Sequence, residues 1–119
     1  MDAMRKIIFY RTVSGQNPIE DFLDHLPAKS AQKVTWVLQL VEDLEQVPSQ
    51  YFKKLVSTQD LWEIRVSAGS NIFRLIGFFD GPNIVVVTHG FQKKTQKTPK
   101  RAIKIAEERK KDYFRRKIT

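Results

Sequence analysis

Residues 61–91, LWEIRVSAGSNIFRLIGFFDGPNIVVVTHGF, decide the fold. They hold three runs rich in β-branched and aromatic residues: Leu61–Ser67, Asn71–Asp80 and Asn83–Phe91. Ala68-Gly69-Ser70-Asn71 and Asp80-Gly81-Pro82-Asn83 separate the runs with turn chemistry, so the natural connections are hairpins and the expected product is an antiparallel meander. The last two strands are apolar on both faces. That pattern predicts a central position, covered by helices on one side and by another element on the other. Side chains alternate along a strand, so Trp62, Ile64 and Val66 should face a core while Leu61, Glu63 and Arg65 point the other way. On the next strand Phe73, Leu75, Gly77 and Phe79 form one set. Ile72, Arg74, Ile76 and Phe78 form the other, which sets an arginine in an apolar row.

Upstream, the apolar residues of Arg5–Arg11 predict a first strand. Asn17-Pro18-Ile19-Glu20 has the form of a helix start, with Asn17 as N-cap and Pro18 at the first helical position, and the helix should run to about Leu26. Pro27 ends it and opens a longer helix, in which Ala31, Val34, Val37, Leu38, Val41 and Leu44 recur at spacings of three and four. Pro48 marks its end. Two helices joined so tightly predict a helical hairpin lying on the sheet, and a further strand is expected around Phe52–Ser57. Downstream, Thr98 and Pro99 read as N-cap and first residue of a terminal helix whose Pro99, Ala102, Ile103, Ala106 and Tyr113 lie close to one face.

The expectation is one domain spanning residues 1–119, since a chain of 119 residues has too little apolar surface for two cores. The fold class is α+β: a small antiparallel β-sheet with an N-terminal two-helix hairpin on one face and a basic C-terminal helix. There is no cysteine and there are two histidines, which rules out disulfides and cysteine-based zinc sites and makes metal chemistry an unpromising reading. No metal or cofactor is expected. The first residues lack the apolar run of a signal peptide and no window approaches a membrane span, so the expected location is the cytoplasm. No phosphate loop, H-E-x-x-H or nucleophile elbow is present.

The charge is unevenly placed. Residues 1–92 carry 9 basic and 10 acidic side chains, a net of −1, and residues 93–119 carry 12 basic and 3 acidic, a net of +9. A segment so basic favours a polyphosphate partner, although an anionic membrane, an acidic protein or a merely solvated helix has the same signature. Arg74 must find a partner or a water-filled cleft, because an unpaired buried charge is costly. A structural Arg74–Glu63 or Arg74–Asp80 pair would satisfy it. The doublets Lys53-Lys54 and Lys93-Lys94 stand at strand ends, where one lysine of each could join Arg65 and Arg74 in a cationic bowl; strand-end lysines also guard edges against aggregation. His89 reads as a core residue and His25 as exposed beside a helix end. Tyr10, Tyr51 and Tyr113 are candidates for stacking on a base, Tyr113 fitting better as a packed residue.

At Leu61-Trp62-Glu63-Ile64-Arg65, Phe73-Arg74-Leu75 and Gly90-Phe91-Gln92-Lys93-Lys94-Thr95-Gln96-Lys97-Thr98-Pro99 the chain resembles the RelE/ParE superfamily of type II toxins, in particular its phage-derived HigB-like branch. The pattern there is L-W-E-[LI]-R, then Y-R-[LV], then F-x-K-K-T-x-K-T-P before a terminal helix. Phe73 stands where that pattern has tyrosine. The resemblance spans nearly the whole chain. It implies a RelE-like fold and a ribonuclease that cuts messenger RNA, often in the ribosomal A site, held in check by a cognate antitoxin that is commonly a helix-turn-helix protein. By motif, it assigns Arg65, Arg74, Lys93 and Lys94 to catalysis, with Lys54 a looser match.

Metal-free RNA cleavage needs the 2′-hydroxyl deprotonated, the phosphorane charge stabilised and the 5′-oxygen protonated. Arginine suits the middle task because its planar guanidinium grips phosphate oxygens in pairs and stays charged. Arg65 and Arg74 take that role. A lysine acts as base only if burial or neighbouring cations depress its pKa, which makes Lys54, Lys93 and Lys94 the candidates. Lys97, Lys100, Arg101 and Lys104 on the first turns of the terminal helix are expected to grip RNA phosphates. Two readings compete with the nuclease: a ParE-like inhibitor of DNA gyrase on the same fold, and a non-catalytic nucleic-acid-binding module.

Overall fold

The computed structural model describes residues 3–95 and 97–118. In chain order its elements are β1 (Lys6–Phe9), α1 (Pro18–Asp24), α2 (Ala28–Asp43), β2 (Phe52–Lys54), β3 (Leu61–Ala68), β4 (Asn71–Asp80), β5 (Ile84–Gln92) and α3 (Lys100–Ile118). The strands form one open sheet in the order β1-β5-β4-β3-β2. From β2 to β5 the sheet is the expected meander, each strand antiparallel to the next. β1 departs from the expected all-antiparallel sheet. It pairs parallel to β5, from Lys6 opposite Ile84 to Phe9 opposite Val87, because its connection to β5 runs through two helices and three strands and so imposes no hairpin.

Both sheet faces are covered, which accounts for the two-sided apolar pattern of β4 and β5. One face buries Ile64, Val66, Phe73, Leu75, Val85 and Val87 against Ile19 of α1 and Val34, Val37, Leu38 and Val41 of α2. On the opposite face Leu61, Ile76, Phe78 and Val86 meet Ala102 and Ala106 of α3, and Phe114 also packs there. Alanines one turn apart let α3 approach the sheet closely, and Tyr113 closes its far end by packing on Phe78 with ring centroids 5.4 Å apart. The covering element on the second face is thus the basic helix itself. Each of α1 and α2 rests mainly on the sheet, α1 on β5 and α2 on β3.

Helix boundaries follow local chemistry. Asn17 Oδ1 accepts from the Glu20 amide at 3.1 Å, capping α1 as expected. α2 ends at Asp43, before Pro48, and Arg5 replaces the missing C-terminal cation by donating to the carbonyls of Val41, Leu44 and Glu45. α3 starts at Lys100, one residue later than expected: the Pro99 carbonyl accepts the first helical bond from Ile103, and the Thr98 hydroxyl donates to Glu63.

One irregularity aims side chains. Ile76 lies opposite His89 and Gly77 opposite Val87, so Thr88 is an extra residue, a β-bulge in β5. Its hydroxyl donates to the Ile76 carbonyl at 2.9 Å, occupying an acceptor the broken ladder leaves free. The bulge resets the alternation, bringing His89 and Phe91 to the α3 face in register with Ile76 and Arg74. Gly77 is required here: a Cβ would lie 2.6 Å from the Val86 carbonyl oxygen.

Candidate functional site: a cationic pocket at the end of the sheet

Arg65 and Arg74 sit opposite each other on β3 and β4, on the face that α3 only partly covers. Beyond Gln92 the chain leaves the sheet, and the Lys93 amide bonds the Ile72 carbonyl at 2.7 Å. Lys93 and Lys94 therefore escape strand alternation. Both line the same open pocket of about 530 Å³ as Arg65, Arg74, Ile72 and Thr95. Four of the five expected catalytic residues converge there. The expected bowl exists, but with both lysines of one doublet and neither of the other.

Lys54 is the exception. Its register partner is Trp62, which faces the α1–α2 side, and its ammonium pairs with Asp60 at 2.9 Å. Lys53 is the residue of that doublet in register with Glu63, on the Arg65 face, and it is exposed. Lys97, Lys100, Arg101 and Lys104 are exposed on and just before the first turns of α3. Three other cations of that segment are tied to the domain: Arg109 donates to the Thr88 carbonyl, Lys110 to the Gln59 carbonyl, and Lys117 pairs with Asp80. Part of the C-terminal charge is therefore structural.

Glu63 organises the pocket floor. The residue is 4% exposed, and its carboxylate faces three groups: Arg74 Nε at 3.3 Å, Arg65 Nε at 3.7 Å and the Thr98 hydroxyl, which donates to Oε2. Of the two structural partners open to Arg74, Glu63 is the one taken, in an ion pair whose angle falls short of a hydrogen bond. Arg74 also donates through Nη1 to the Phe73 carbonyl at 3.0 Å. Through Thr98 the start of α3 is anchored to the pocket floor.

The electrostatics differ from group to group. Burial lowers the pKa of Arg74 from its ordinary value; Glu63 opposes this and Arg65 adds to it. Lys93 is also lowered, first by burial, then by Arg74 and less by Arg65, against an opposing pull from Glu63. The side chain of Arg65 is 31% exposed and that of Arg74 only 7%, so Arg65 is the guanidinium open to a ligand and Arg74 is a charge beneath it. Among the described residues no three His, Cys, Asp or Glu side chains gather as metal ligands. Among the same residues no helix is long and apolar enough to cross a membrane.

The histidines and tyrosines are positioned otherwise than as ligand contacts in this pocket. Since the Thr88 hydroxyl donates to Ile76, it accepts from His89 Nδ1–H at 2.9 Å, which leaves Nε2 as a buried lone pair with no hydrogen bond among the described residues. Burial, with a smaller push from Arg109, lowers the His89 pKa to about 4. The unfolded chain takes up this proton near pH 6.5, so His89 contributes stability that is fully present above pH 6.5 and is lost as pH falls towards 4. Urea unfolding between those pH values should show that slope, and His89→Gln should flatten it. Tyr10 bonds Asp112 of α3, Tyr113 of α3 bonds Asp80 of β4, and Tyr51 lies against Trp36.

No curated protein matches the chain. The family model of the phage-derived protein Gp49-like matches residues 21–111, from within α1 to within α3 and across every residue that lines the pocket. That match takes in more than half of the chain, which therefore belongs to the phage-derived Gp49-like family.

Proposed function

We propose that this chain is the toxin of a toxin–antitoxin pair, a metal-independent endoribonuclease that cuts messenger RNA on the ribosome and is neutralised by a helix-turn-helix antitoxin. The observation that carries the reading is the convergence of Arg65, Arg74, Lys93 and Lys94 on one open pocket over the buried carboxylate of Glu63. The toxin-like character of the family agrees with it. Such a pocket fits a scissile phosphate, because positioned cations in a partly dry site stabilise the charge that builds on the phosphorane.

The roles follow from exposure and charge. Arg65 holds the non-bridging oxygens, and Arg74 adds positive potential from below. Neutral Lys93 takes the proton of the 2′-hydroxyl as that oxygen bonds to phosphorus. The bond from phosphorus to the 5′-oxygen breaks, and Lys94 supplies the proton to the leaving oxygen. The products are a 2′,3′-cyclic phosphate and a 5′-hydroxyl. Because Lys93 must be neutral to act, cleavage should rise with pH through an apparent pKa below the ordinary 10.5 of lysine. A pH–rate profile checks this, and Lys93→Ala should abolish the rise.

Primer extension on a translated message, with and without ribosomes, tests the function. The expected result is cuts within the translated message that depend on ribosomes. Intact RNA in both conditions, with DNA supercoiling blocked instead, would replace the nuclease by a gyrase inhibitor.

A further inference from the structure

Trp36 is the largest side chain exposed on α2, 47% accessible, and it belongs to neither apolar core. Lys33, one turn earlier, places its ammonium 4.4 Å from the ring centroid, and Tyr51 meets the same ring edge-on at 5.8 Å. Tyr51 is also the neighbour of Arg65 across the sheet edge, its carbonyl accepting the Arg65 amide at 2.8 Å. Lys53 follows two residues later on the Arg65 face, and residues 28–41 of α2 contain no Asp or Glu. Tyr51 packs on the α1–α2 side, so the cations Arg65 and Lys53 on one sheet face and the Tyr51–Trp36–Lys33 group on the other lie on either side of the short edge strand β2.

Alternating cations and exposed rings are what single-stranded RNA requires: the cations follow phosphates and every base has a face to stack. A folded protein partner would call for an apolar patch, whereas this surface holds Trp36 and the half-buried Tyr51, with the Lys33 ammonium over the first ring. We infer that the corner formed by Trp36, Tyr51, Lys33 and Lys53 is a stacking platform for the messenger strand as it continues out of the Arg65 pocket. The inference rests on the RNA reading of that pocket and adds to it a second contact that sets affinity and leaves chemistry alone.

The test is binding of non-cleavable 2′-O-methyl RNA, in a short form that fills only the pocket and a form of about ten nucleotides. Trp36→Ala should weaken the longer RNA about tenfold and leave the short one unchanged, while Trp36→Phe, which keeps a ring, should retain affinity. Binding should also quench Trp36 fluorescence, a signal absent from Trp36→Phe. Trp36 is exposed, so the variants fold, as circular dichroism would verify. Equal affinity of Trp36→Ala and native chain for the longer RNA overturns the platform. So does a Trp36 effect seen only on whole ribosomes, which would assign the corner to ribosomal RNA. If the native chain binds with Trp36 dependence but cleaves no message, the platform stands and the nuclease reading falls.

Discussion

Arg65→Ala should lower RNA cleavage by about a hundred- to a thousandfold while the domain melts close to the native temperature. The magnitude is that of removing one positioned donor from developing transition-state charge. The separation of activity from stability comes from burial. Arg65 is about a third exposed and its nitrogen is 3.7 Å from Glu63, a contact of well under about 1 kcal/mol in partly solvated surroundings. When it is removed, Glu63 keeps Arg74 and Thr98. Arg65→Lys should recover only part of the loss, since a point charge replaces a two-pronged grip on phosphate. Quench-flow or gel assays of a ribosome-bound message, beside thermal melts, measure both quantities. A native cleavage rate in Arg65→Ala would remove Arg65 from the chemistry.

Glu63→Ala should have the largest effect on stability, about 3–5 kcal/mol, because it leaves the Arg74 guanidinium buried without its counter-charge. Against a typical total of about 5–15 kcal/mol this brings the domain near its threshold. The same reasoning makes Arg74→Ala a poor test of catalysis: it leaves the buried Glu63 with only the looser contact to Arg65 at 3.7 Å and the Thr98 hydroxyl, so lost activity and lost folding arrive together. The ion pair at 3.3 Å thus sets Arg74 apart from the more exposed Arg65. The double change Glu63→Leu with Arg74→Met should regain much of the stability, since apolar residues of similar volume replace buried pairs without loss, while cleavage stays low. Denaturant melts of the two single variants and the double decide it. Additive losses would mean that the two side chains do not depend on each other.

Much of this site was legible because a strand has a period of two. Alternation in LWEIR and NIFRLIGFFD placed Arg65 and Arg74 on one face, with Ile64, Val66, Phe73 and Leu75 on the other, as the two cores confirm. The lysine doublets were read by the same rule, and there it failed. Lys93 and Lys94 stand beyond the end of β5, where alternation no longer holds, and both reach the pocket; Lys54 remains within β2 and its register turns it to the opposite face. The Thr88 bulge left no sign in VVVTHGF, although it decides which way His89 and Phe91 point. Trp36 went unnoticed because a helical stripe assigns meaning to the buried positions, and the significance of Trp36 depends on Tyr51, which a distant loop carries to it. Short-range periodicity survives in sequence, whereas a platform assembled across a sheet edge does not.

If the Arg65–Arg74–Lys93–Lys94 pocket cleaves RNA by attack of the RNA's own 2′-hydroxyl, the ends of the cut message carry the signature of that chemistry. Mass spectrometry of fragments from a ribosome-bound message should find 2′,3′-cyclic phosphate on one side of the cut and 5′-hydroxyl on the other, with both species missing from Arg65→Ala and Lys93→Ala reactions. Fragments bearing 5′-phosphate, or cyclic ends formed equally well by those two variants, would take this chemistry away from the pocket.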